Sequence, residues 1–277
     1  MTQKSILITG CSSGIGYDAA HTLAKRGWRV LATCRKPEDV ARLQAEGLES
    51  YALDLASDDS VAAGADEALS RTGGTLDALF NNGAFALPGL AEDLPRDGLR
   101  AIYETNLFGQ FDLTNRLIPA MKQQGHGRIV FNSSVLGFVG LRFRAAYVGT
   151  KFAMEGMVDV MRMENHHQPI DLVLIEPGPI GTKIRQNAIP QFEKWIDWKN
   201  SLGRKFYEEV AMPRLYDTSG KKDRFELPCS AVTDKLIHAL ESPRPRPRYY
   251  VTTPTYVMGI CRRLLGTRAL DWIARQG

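Results

Sequence analysis

The first 27 residues contain a strand, a glycine-rich turn and a helix, and this unit restricts the fold more than any other stretch. Residues 5–9 are apolar and β-branched, as in a buried strand. The turn at 10–16 has the sequence GCSSGIG, and residues 17–27 are predicted to be an alanine-rich helix. Glycines permit a tight turn, and the N–H groups at a helix start bind anions. The turn alone fits a nucleotide phosphate site and a plain glycine-rich turn equally well.

Further strands alternate with helices along the chain. Alternation of this kind predicts βαβ crossovers and therefore an α/β protein with a doubly wound parallel sheet, covered by helices on both faces in three layers. Groups that follow strand ends then meet at one edge of the sheet, where ligands bind in such folds. No repeat or linker interrupts the pattern, so we predict a single domain over residues 1–277. The predicted strands are 28–33, 50–53, 76–80, 127–132 and 170–175, and the predicted helices are 57–72, 97–124 and 145–166.

The residues after the second predicted strand bear on the choice of dinucleotide. Folds that bind NAD place a carboxylate there to hold the ribose 2′-hydroxyl. This chain has Cys34 at that place, followed by Arg35 and Lys36. Because a guanidinium can hold a phosphate with two hydrogen bonds, the sequence favours NADP(H) over NAD(H). The other interpretation is a pair of exposed cations at a strand end.

Ser134, Tyr147 and Lys151 lie in one short stretch and form a candidate catalytic set. Tyr147 and Lys151 are four residues apart, so they share one face of the predicted helix. A phenol keeps its proton until about pH 10, and a fixed ammonium nearby favours the phenolate and makes that proton transferable. Ser134 adds a hydroxyl donor at a strand end. The spacing also fits a surface pair of Tyr and Lys.

Taken together and in order, these motifs resemble the short-chain dehydrogenase/reductase family in its single-domain branch. Within the family, the chain looks most like bacterial NADP-dependent oxidoreductases related to 17β-hydroxysteroid and retinol dehydrogenases. The resemblance covers residues 4–182 by motif and extends to 252 by the order of strands and helices. The family's Asn-Asn-Ala-Gly is replaced by Asn81-Asn82-Gly83-Ala84, so we expect the wall near the nicotinamide to differ. The matching motifs are Thr9-Gly10-Cys-Ser-Ser-Gly14-Ile-Gly16, Asp54, Asn81-Asn82, Asn106, Ser134, Tyr147-x3-Lys151 and Pro177-Gly178-Pro-Ile-Gly-Thr182.

The resemblance implies a Rossmann-like fold and a role for each matching residue. Tyr147 would be the general acid or base, and Ser134 would hydrogen-bond the substrate oxygen. Lys151 would lower the pKa of the tyrosine and hold the nicotinamide ribose. Asn106 would bind a water linking Lys151 to solvent, although the residues alone favour a helix-kinking side chain satisfied by backbone. Besides Tyr147 and Lys151, the implied NADP(H) contacts are Gly10, Ser12, Ser13 and Ile15 at the pyrophosphate with Gly14 and Gly16 in the same turn, Arg35 at the 2′-phosphate, Asp54 and Leu55 at the adenine, Asn82 beside the cofactor, and Ile180 and Thr182 at the carboxamide after Pro177 and Gly178.

Residues 183–228 match no motif, and we predict that this segment selects the substrate. Its large aromatic residues indicate either helices that cover an apolar substrate or extra helices packed on the core. The apolar residues between Ser134 and Tyr147 also favour an apolar substrate. These two sets are Phe192, Trp195, Trp198, Phe206 and Tyr207 after residue 183, and Phe138, Val139, Leu141 and Phe143 before the tyrosine.

The C-terminal part is predicted to contain a helix at 229–241, a last strand at 249–252 and a helical extension at 254–277. Residues 256–274 mix apolar residues with arginines. In order of preference, they indicate an amphipathic helix packed on its own protein, a subunit contact or a membrane-surface helix.

Composition excludes several other classes. The net charge of +4 is too small to indicate a nucleic-acid partner, and the four cysteines have no metal-ligand spacing, so no metal is expected. No apolar stretch reaches the roughly 20 residues that span a bilayer, and membrane contact is not expected. The N-terminus has no signal-peptide pattern, which predicts a cytoplasmic protein.

The sequence therefore predicts an NADP(H)-dependent oxidoreductase acting on an apolar aldehyde or ketone, or on the alcohol in reverse. Retinoids and steroids are narrower candidates for the substrate. A second class is a binding protein that senses NADP(H) without turnover. The nucleotide-sugar epimerases also use Tyr-x3-Lys, but their longer substrate domain and different glycine spacing fit this chain poorly. By family analogy, we expect a homodimer or homotetramer built on helices 97–124 and 145–166.

Overall fold

The computed structural model describes residues 3–275, which form a seven-stranded parallel sheet flanked by helices. The order of the strands in the sheet is β3-β2-β1-β4-β5-β6-β7, and each neighbouring pair is parallel. The predicted doubly wound α/β fold is confirmed, and the direction of winding reverses between β1 and β4. In chain order, the strands are β1 (Ser5–Ile8), β2 (Arg29–Cys34), β3 (Glu49–Ala52), β4 (Ala78–Asn81), β5 (Gly127–Asn132), β6 (Ile170–Glu176) and β7 (Arg248–Tyr250).

Helices cover both faces of the sheet. The predicted helix at 97–124 consists of two helices joined by the wider, π-helical turn Glu104–Phe108. The bounds are α1 (Gly14–Lys25), α2 (Pro37–Ala45), α3 (Asp58–Arg71), α4 (Arg96–Tyr103), α5 (Gly109–Gln124), α6 (Ala145–Glu164), α7 (Ile184–Trp195), α8 (Arg204–Phe206), α9 (Met212–Leu215), α10 (Ser230–Glu241), α11 (Thr253–Leu264) and α12 (Thr267–Arg275).

The period of two along each strand divides the core into two layers. On β1, Ile6 and Ile8 pack in the layer of α1 and α10, whereas Leu7 packs in the layer of α3, α5 and α6. Both faces are buried, which explains why the strands are continuous apolar runs. This burial keeps the strand ends, and the loops that follow them, at one fixed edge.

Residues 183–228 contain α7, α8 and α9, and their aromatic side chains form a third apolar cluster beside the sheet edge. Phe192 and Tyr207 are fully buried in it. The Tyr207 hydroxyl donates to Asp93 Oδ2 at 2.7 Å and accepts from Leu90 N at 2.9 Å. Phe143, with the unusual backbone angle φ of 66°, inserts its ring 5.5 Å from that of Tyr207. These aromatic side chains are packed in the protein, and the covering of a substrate by the same helices stays a prediction.

The tail after β7 forms α11 and α12, which lie against the rest of the protein. Leu270 is buried, and the α11 backbone at Gly259 contacts Tyr250. This is the first of the three interpretations of residues 256–274. Residues 276 and 277 of the predicted extension lie outside the described residues. Within residues 3–275, every helix is too short or too polar to cross a membrane.

Candidate active site

A cavity of about 400 Å³ lies at the carboxyl edge of the sheet. Its wall is built by the loops after β1, β4, β5 and β6, by the first turns of α6, and by α7 and α9. The sheet therefore brings together residues that are far apart in the sequence, at the edge where the strand ends were predicted to meet. The predicted site residues in this wall are Gly10, Ser12, Ser13, Gly14, Ile15, Asn82, Ser134, Tyr147, Lys151, Pro177, Gly178, Ile180 and Thr182.

Five predicted site residues lie outside the wall. Gly16 is buried below the glycine turn, and Leu55 is buried behind it. Arg35 and Asp54 follow β2 and β3 at the same edge; the Arg35 side chain is exposed, and Asp54 Oδ1 accepts from Ala56 N at 3.0 Å. Asn106 is fully buried behind the loop after β4. The cavity is thus lined by predicted residues that follow β1, β4, β5 and β6, but not by those that follow β2 and β3.

The glycine turn is close-packed in a way that larger residues would prevent. Gly10 has a φ of 73°, and a Cβ atom there would lie 2.6 Å from Gly83 Cα. A Cβ on Gly16 would lie 2.4 Å from the Gly10 carbonyl oxygen. The turn leaves the start of α1 open towards the cavity, which fits a phosphate group.

The Asn-Asn-Gly-Ala sequence ties β4 to the glycine turn. Thr9 Oγ1 accepts from the backbone N–H groups of Asn82 at 3.0 Å and Gly83 at 2.9 Å. Asn82 Nδ2 donates to Thr9 O at 2.9 Å, and a Cβ on Gly83 would lie 2.9 Å from Leu55 Cδ1. Gly83 is therefore closely packed against the end of the Leu55 side chain, and Gly83 and Ala84 both stand in the cavity wall. The effect of this departure from the family pattern on the wall stays a prediction.

Tyr147 lies in the first turn of α6, with Ser134 across the cavity at the end of β5. Burial raises the pKa of Tyr147 to about 12, while the Ser134 hydroxyl and the Arg144 guanidinium act in the opposite direction. Lys151 is not among the groups of residues 3–275 that shift this pKa, and the expected lowering by Lys151 stays a prediction. Lys151 Nζ lies 5.6 Å from the centre of the tyrosine ring and donates to Asn132 O at 2.6 Å.

Lys151 is almost fully buried, with 1 % of its surface exposed. Its ammonium group has three N–H donors, and Asn132 O is its only oxygen acceptor within residues 3–275. Burial lowers the pKa of Lys151 to about 8, and the carboxylate of Glu155 opposes this effect. A buried ammonium with unused donors at the cavity wall fits a ligand that presents several hydroxyl groups, such as a ribose.

The side chain of Asn106 is engaged by backbone. Asn106 Oδ1 accepts from Phe85 N at 3.0 Å, and Nδ2 donates to Phe85 O at 2.8 Å. The residue stands in the wide turn between α4 and α5. The sequence without the family resemblance predicts this arrangement, in which backbone groups satisfy the asparagine side chain. The water-binding role stays a prediction.

The sequence reasoning missed a group of charged residues in the wall. They come from the end of the loop before α6, from α7 and α9, and from the loop after α9. One signal was available: Arg144 precedes Tyr147 by three residues and so lies near it on the helix start. These residues are Arg144, Lys183, Arg185, Arg214 and Asp223.

The apolar residues before Tyr147 are not arranged as predicted. Leu141 lies in the wall, but Phe143 belongs to the third apolar cluster. Phe138 and Val139 line a separate cavity of about 310 Å³ beside α12. Local sequence cannot separate these environments, because they depend on where distant helices pack.

No cluster of three or more potential metal ligands occurs within residues 3–275.

Comparison with known proteins agrees with the fold. Residues 4–192 match the short chain dehydrogenase family, to which this chain therefore belongs. The uncharacterized oxidoreductase YbbO of Escherichia coli (strain K12) is 39% identical over 271 residues, which cover 98% of this chain and 94% of YbbO. Human 17-beta-hydroxysteroid dehydrogenase type 1 is 30% identical over 265 residues, covering 91% of this chain and 78% of that protein.

A solved structure shows the same architecture. The short chain dehydrogenase/reductase from Burkholderia phymatum, in complex with NAD, superposes with a TM-score of 0.78 at 22% identity and covers 95% of this chain and 92% of that one. Family membership makes this protein an oxidoreductase that acts on an alcohol or carbonyl group with NAD(P).

Proposed function

We propose that this protein is an NADP(H)-dependent carbonyl reductase that reversibly converts an apolar aldehyde or ketone to its alcohol. The observation that carries the proposal is the convergence of Ser134, Tyr147 and Lys151 on one cavity that also includes the glycine turn. This set supplies a proton donor, a hydrogen-bond donor and a cation around one space, as carbonyl reduction requires.

The residues of the wall suit a dinucleotide. The open start of α1 would hold the pyrophosphate, and the unused donors of Lys151 would hold ribose hydroxyls. Arg35 would contact the 2′-phosphate, with Asp54 and Leu55 on the adenine side. When bound, the cofactor would supply the hydride that adds to the carbonyl carbon.

Tyr147 would deliver the proton to the carbonyl oxygen. With a pKa of about 12, its phenol stays protonated in neutral solution, which suits the reductive direction. Ser134 Oγ makes a long hydrogen bond, 3.4 Å to Pro177 O, and interacts with the Tyr147 hydroxyl. The serine hydroxyl therefore lies beside the proton donor, where it would hydrogen-bond the substrate oxygen. A protonated Lys151 stabilises the phenolate that remains after transfer.

The body of the substrate would rest on apolar side chains. Beyond Ser134 and Tyr147, the wall contains aliphatic residues among its charged ones, and these apolar side chains support a substrate with an apolar body. Similarity to the human 17-beta-hydroxysteroid dehydrogenase favours a steroid as the second candidate substrate. These aliphatic residues are Leu136, Leu141, Ile180, Ile184, Ala188 and Leu215.

The first test compares the two dinucleotides in wild-type protein and in Arg35→Leu. We expect wild type to oxidise NADPH with aliphatic and aromatic aldehydes and to prefer NADPH to NADH. In Arg35→Leu, kcat/KM for NADPH should fall about 10- to 100-fold, since a charge-assisted phosphate contact is lost, while NADH is affected little.

Lys25→Leu is the matched control, because it removes one positive charge at the opposite end of α1. Equal kcat/KM values for NADH and NADPH in wild type would contradict the role of Arg35. Tight NADPH binding with no turnover across aldehydes, ketones and steroids would instead indicate a sensing protein.

A pH profile tests the role of Lys151. Because Lys151 has a pKa of about 8, kcat/KM for NADPH at saturating aldehyde should decline as the pH rises through that value. Glu155 holds this pKa up, so Glu155→Gln should move the decline to lower pH. An unchanged decline in Glu155→Gln would show that another group controls it.

The proposed assembly and compartment rest on surface features. Four apolar side chains on α6 are exposed, which supports a homodimer or homotetramer through this helix. The four cysteines are free, which supports the reducing cytoplasm. The exposed residues are Phe152, Met157, Val160 and Met163.

A further inference from the structure

The outer part of the cavity wall carries a strong excess of positive charge. Besides Lys151, four cations line the cavity, whereas Asp223 is the only acidic residue of its wall among residues 3–275. Lys183 follows Thr182, whose side chain lies against Gly14 of the glycine turn, so this lysine is close to the proposed phosphate site. The three arginines lie beyond it, around the proposed substrate.

Two of these arginines already share a carboxylate. Arg185 Nη2 lies 2.7 Å from Asp223 Oδ2, and Arg214 Nη2 lies 3.3 Å from Asp223 Oδ1. Arg144, by contrast, makes no ion pair and its side chain no hydrogen bond within residues 3–275. Burial lowers the pKa of Arg144, and the charges of Arg214 and Arg185 lower it further. The guanidinium is thus half-buried and near two like charges. Within residues 3–275, the Asp223 carboxylate and the Phe143 ring, whose centre lies 5.7 Å from the guanidinium carbon, offset this without forming an ion pair or a hydrogen bond with it.

The backbone holds Arg144 in this place. Gly89 and Arg144 form an isolated parallel bridge, and Gly89 N donates to Phe143 O at 3.3 Å. The Phe143 ring is anchored in the third apolar cluster, although its backbone has a positive φ. Arg144 is also close enough to Tyr147 for its charge to oppose the rise in the pKa of the phenol. A fixed cation therefore stands within electrostatic range of the proposed reacting atoms, farther along the cavity wall.

We propose that the substrate carries a carboxylate remote from its carbonyl, and that Arg144 binds this carboxylate while Tyr147 protonates the carbonyl oxygen. The substrate class is then an oxo acid with an apolar chain between its two ends. The guanidinium fits a carboxylate through two parallel hydrogen bonds, and Arg185 and Arg214 add positive potential. This inference rests on the proposed carbonyl reduction and specifies its substrate.

The test compares ω-oxo acids of increasing chain length with their methyl esters, which have the same aldehyde and chain but no charge. In wild type, kcat/KM for the best acid should exceed that of its ester by about tenfold or more. In Arg144→Met, the acid-to-ester ratio should fall to about one, and in Arg144→Lys it should be intermediate. The ratio is taken within each variant, so changes in folding or in the pKa of Tyr147 cancel.

Arg142→Met is the matched control. Arg142 is exposed, lies two residues from Arg144 and lines the other cavity, so its loss should leave the acid-to-ester ratio unchanged. Wild-type kcat/KM values that are equal for acids and esters would overturn the proposal without any variant, as would a ratio that survives in Arg144→Met. Failure to oxidise NADPH with acids, esters and simple aldehydes alike would refute the proposed function instead.

Discussion

Replacing Tyr147 by phenylalanine is expected to lower kcat/KM for aldehyde reduction by about a thousandfold, since a positioned general acid contributes roughly 10²- to 10⁴-fold. The phenylalanine ring keeps the packing at the start of α6 and removes only the hydroxyl group that would supply the proton. NADPH affinity should change by less than about tenfold, because the loss is one hydrogen bond. Steady-state NADPH oxidation and fluorescence titration with NADPH measure the two effects separately.

Tyr256→Phe provides the control, because Tyr256 is exposed on α11 and loses the same hydroxyl far from the proposed chemistry. It should retain wild-type kinetics. Residual activity of Tyr147→Phe above about a tenth of wild type would mean that water or another group donates the proton, and the mechanism would have to be abandoned.

The edge of the sheet at which the site lies was predictable, because strand periodicity and strand ends are local properties of the sequence. The apolar run at residues 5–9 and the glycine turn after it lie in β1 and its loop, as expected. Ser134 and Tyr147 reach one cavity because Ser134 follows the end of β5 and Tyr147, thirteen residues later, lies in the first turn of α6. In a parallel sheet, the order of the strands then brings these ends together.

The electrostatics of the site were less predictable, because they depend on burial by distant segments. Proximity in sequence suggests that Lys151 lowers the pKa of Tyr147. In the structure, burial raises that pKa, and the ammonium group donates to Asn132 O. The aromatic residues after 183 pack on one another, whereas Arg185 and Arg214 of the same segment face the cavity. Composition alone does not show which residues of an irregular amphipathic segment face the solvent, the core or a ligand.

Asn106 shows the same limit within a helix. The sequence predicts a continuous helix at 97–124, whereas the wide turn Glu104–Phe108 lets this side chain pair with both backbone groups of Phe85. A turn of this kind depends on a partner outside the helix, because the local sequence has ordinary helix formers on both sides. Family resemblance identified the residue but not its partner.

Substituting Gly16 by alanine is expected to weaken NADPH binding by about a hundredfold or more. The new Cβ atom would lie 2.4 Å from the carbonyl oxygen of Gly10 and 2.6 Å from Asn82 Nδ2, both well inside van der Waals contact. The turn cannot easily yield, since Gly10 itself packs against Gly83 and Cys11 N donates to Thr33 O at 2.8 Å. The substitution should also lower the free energy of unfolding by about 1–3 kcal/mol, the usual cost of overpacking.

Gly266→Ala is the control for this substitution, because a Cβ atom on Gly266 would meet nothing within 4 Å and its backbone needs no positive φ. Titration with NADPH and urea unfolding should show wild-type values for the control and losses for Gly16→Ala. If Gly16→Ala folds and binds NADPH as wild type does, the glycine turn is not the phosphate site. Because Tyr147→Phe should lose turnover with little loss of NADPH affinity, whereas Gly16→Ala should lose affinity first, the two variants separate proton transfer from cofactor binding.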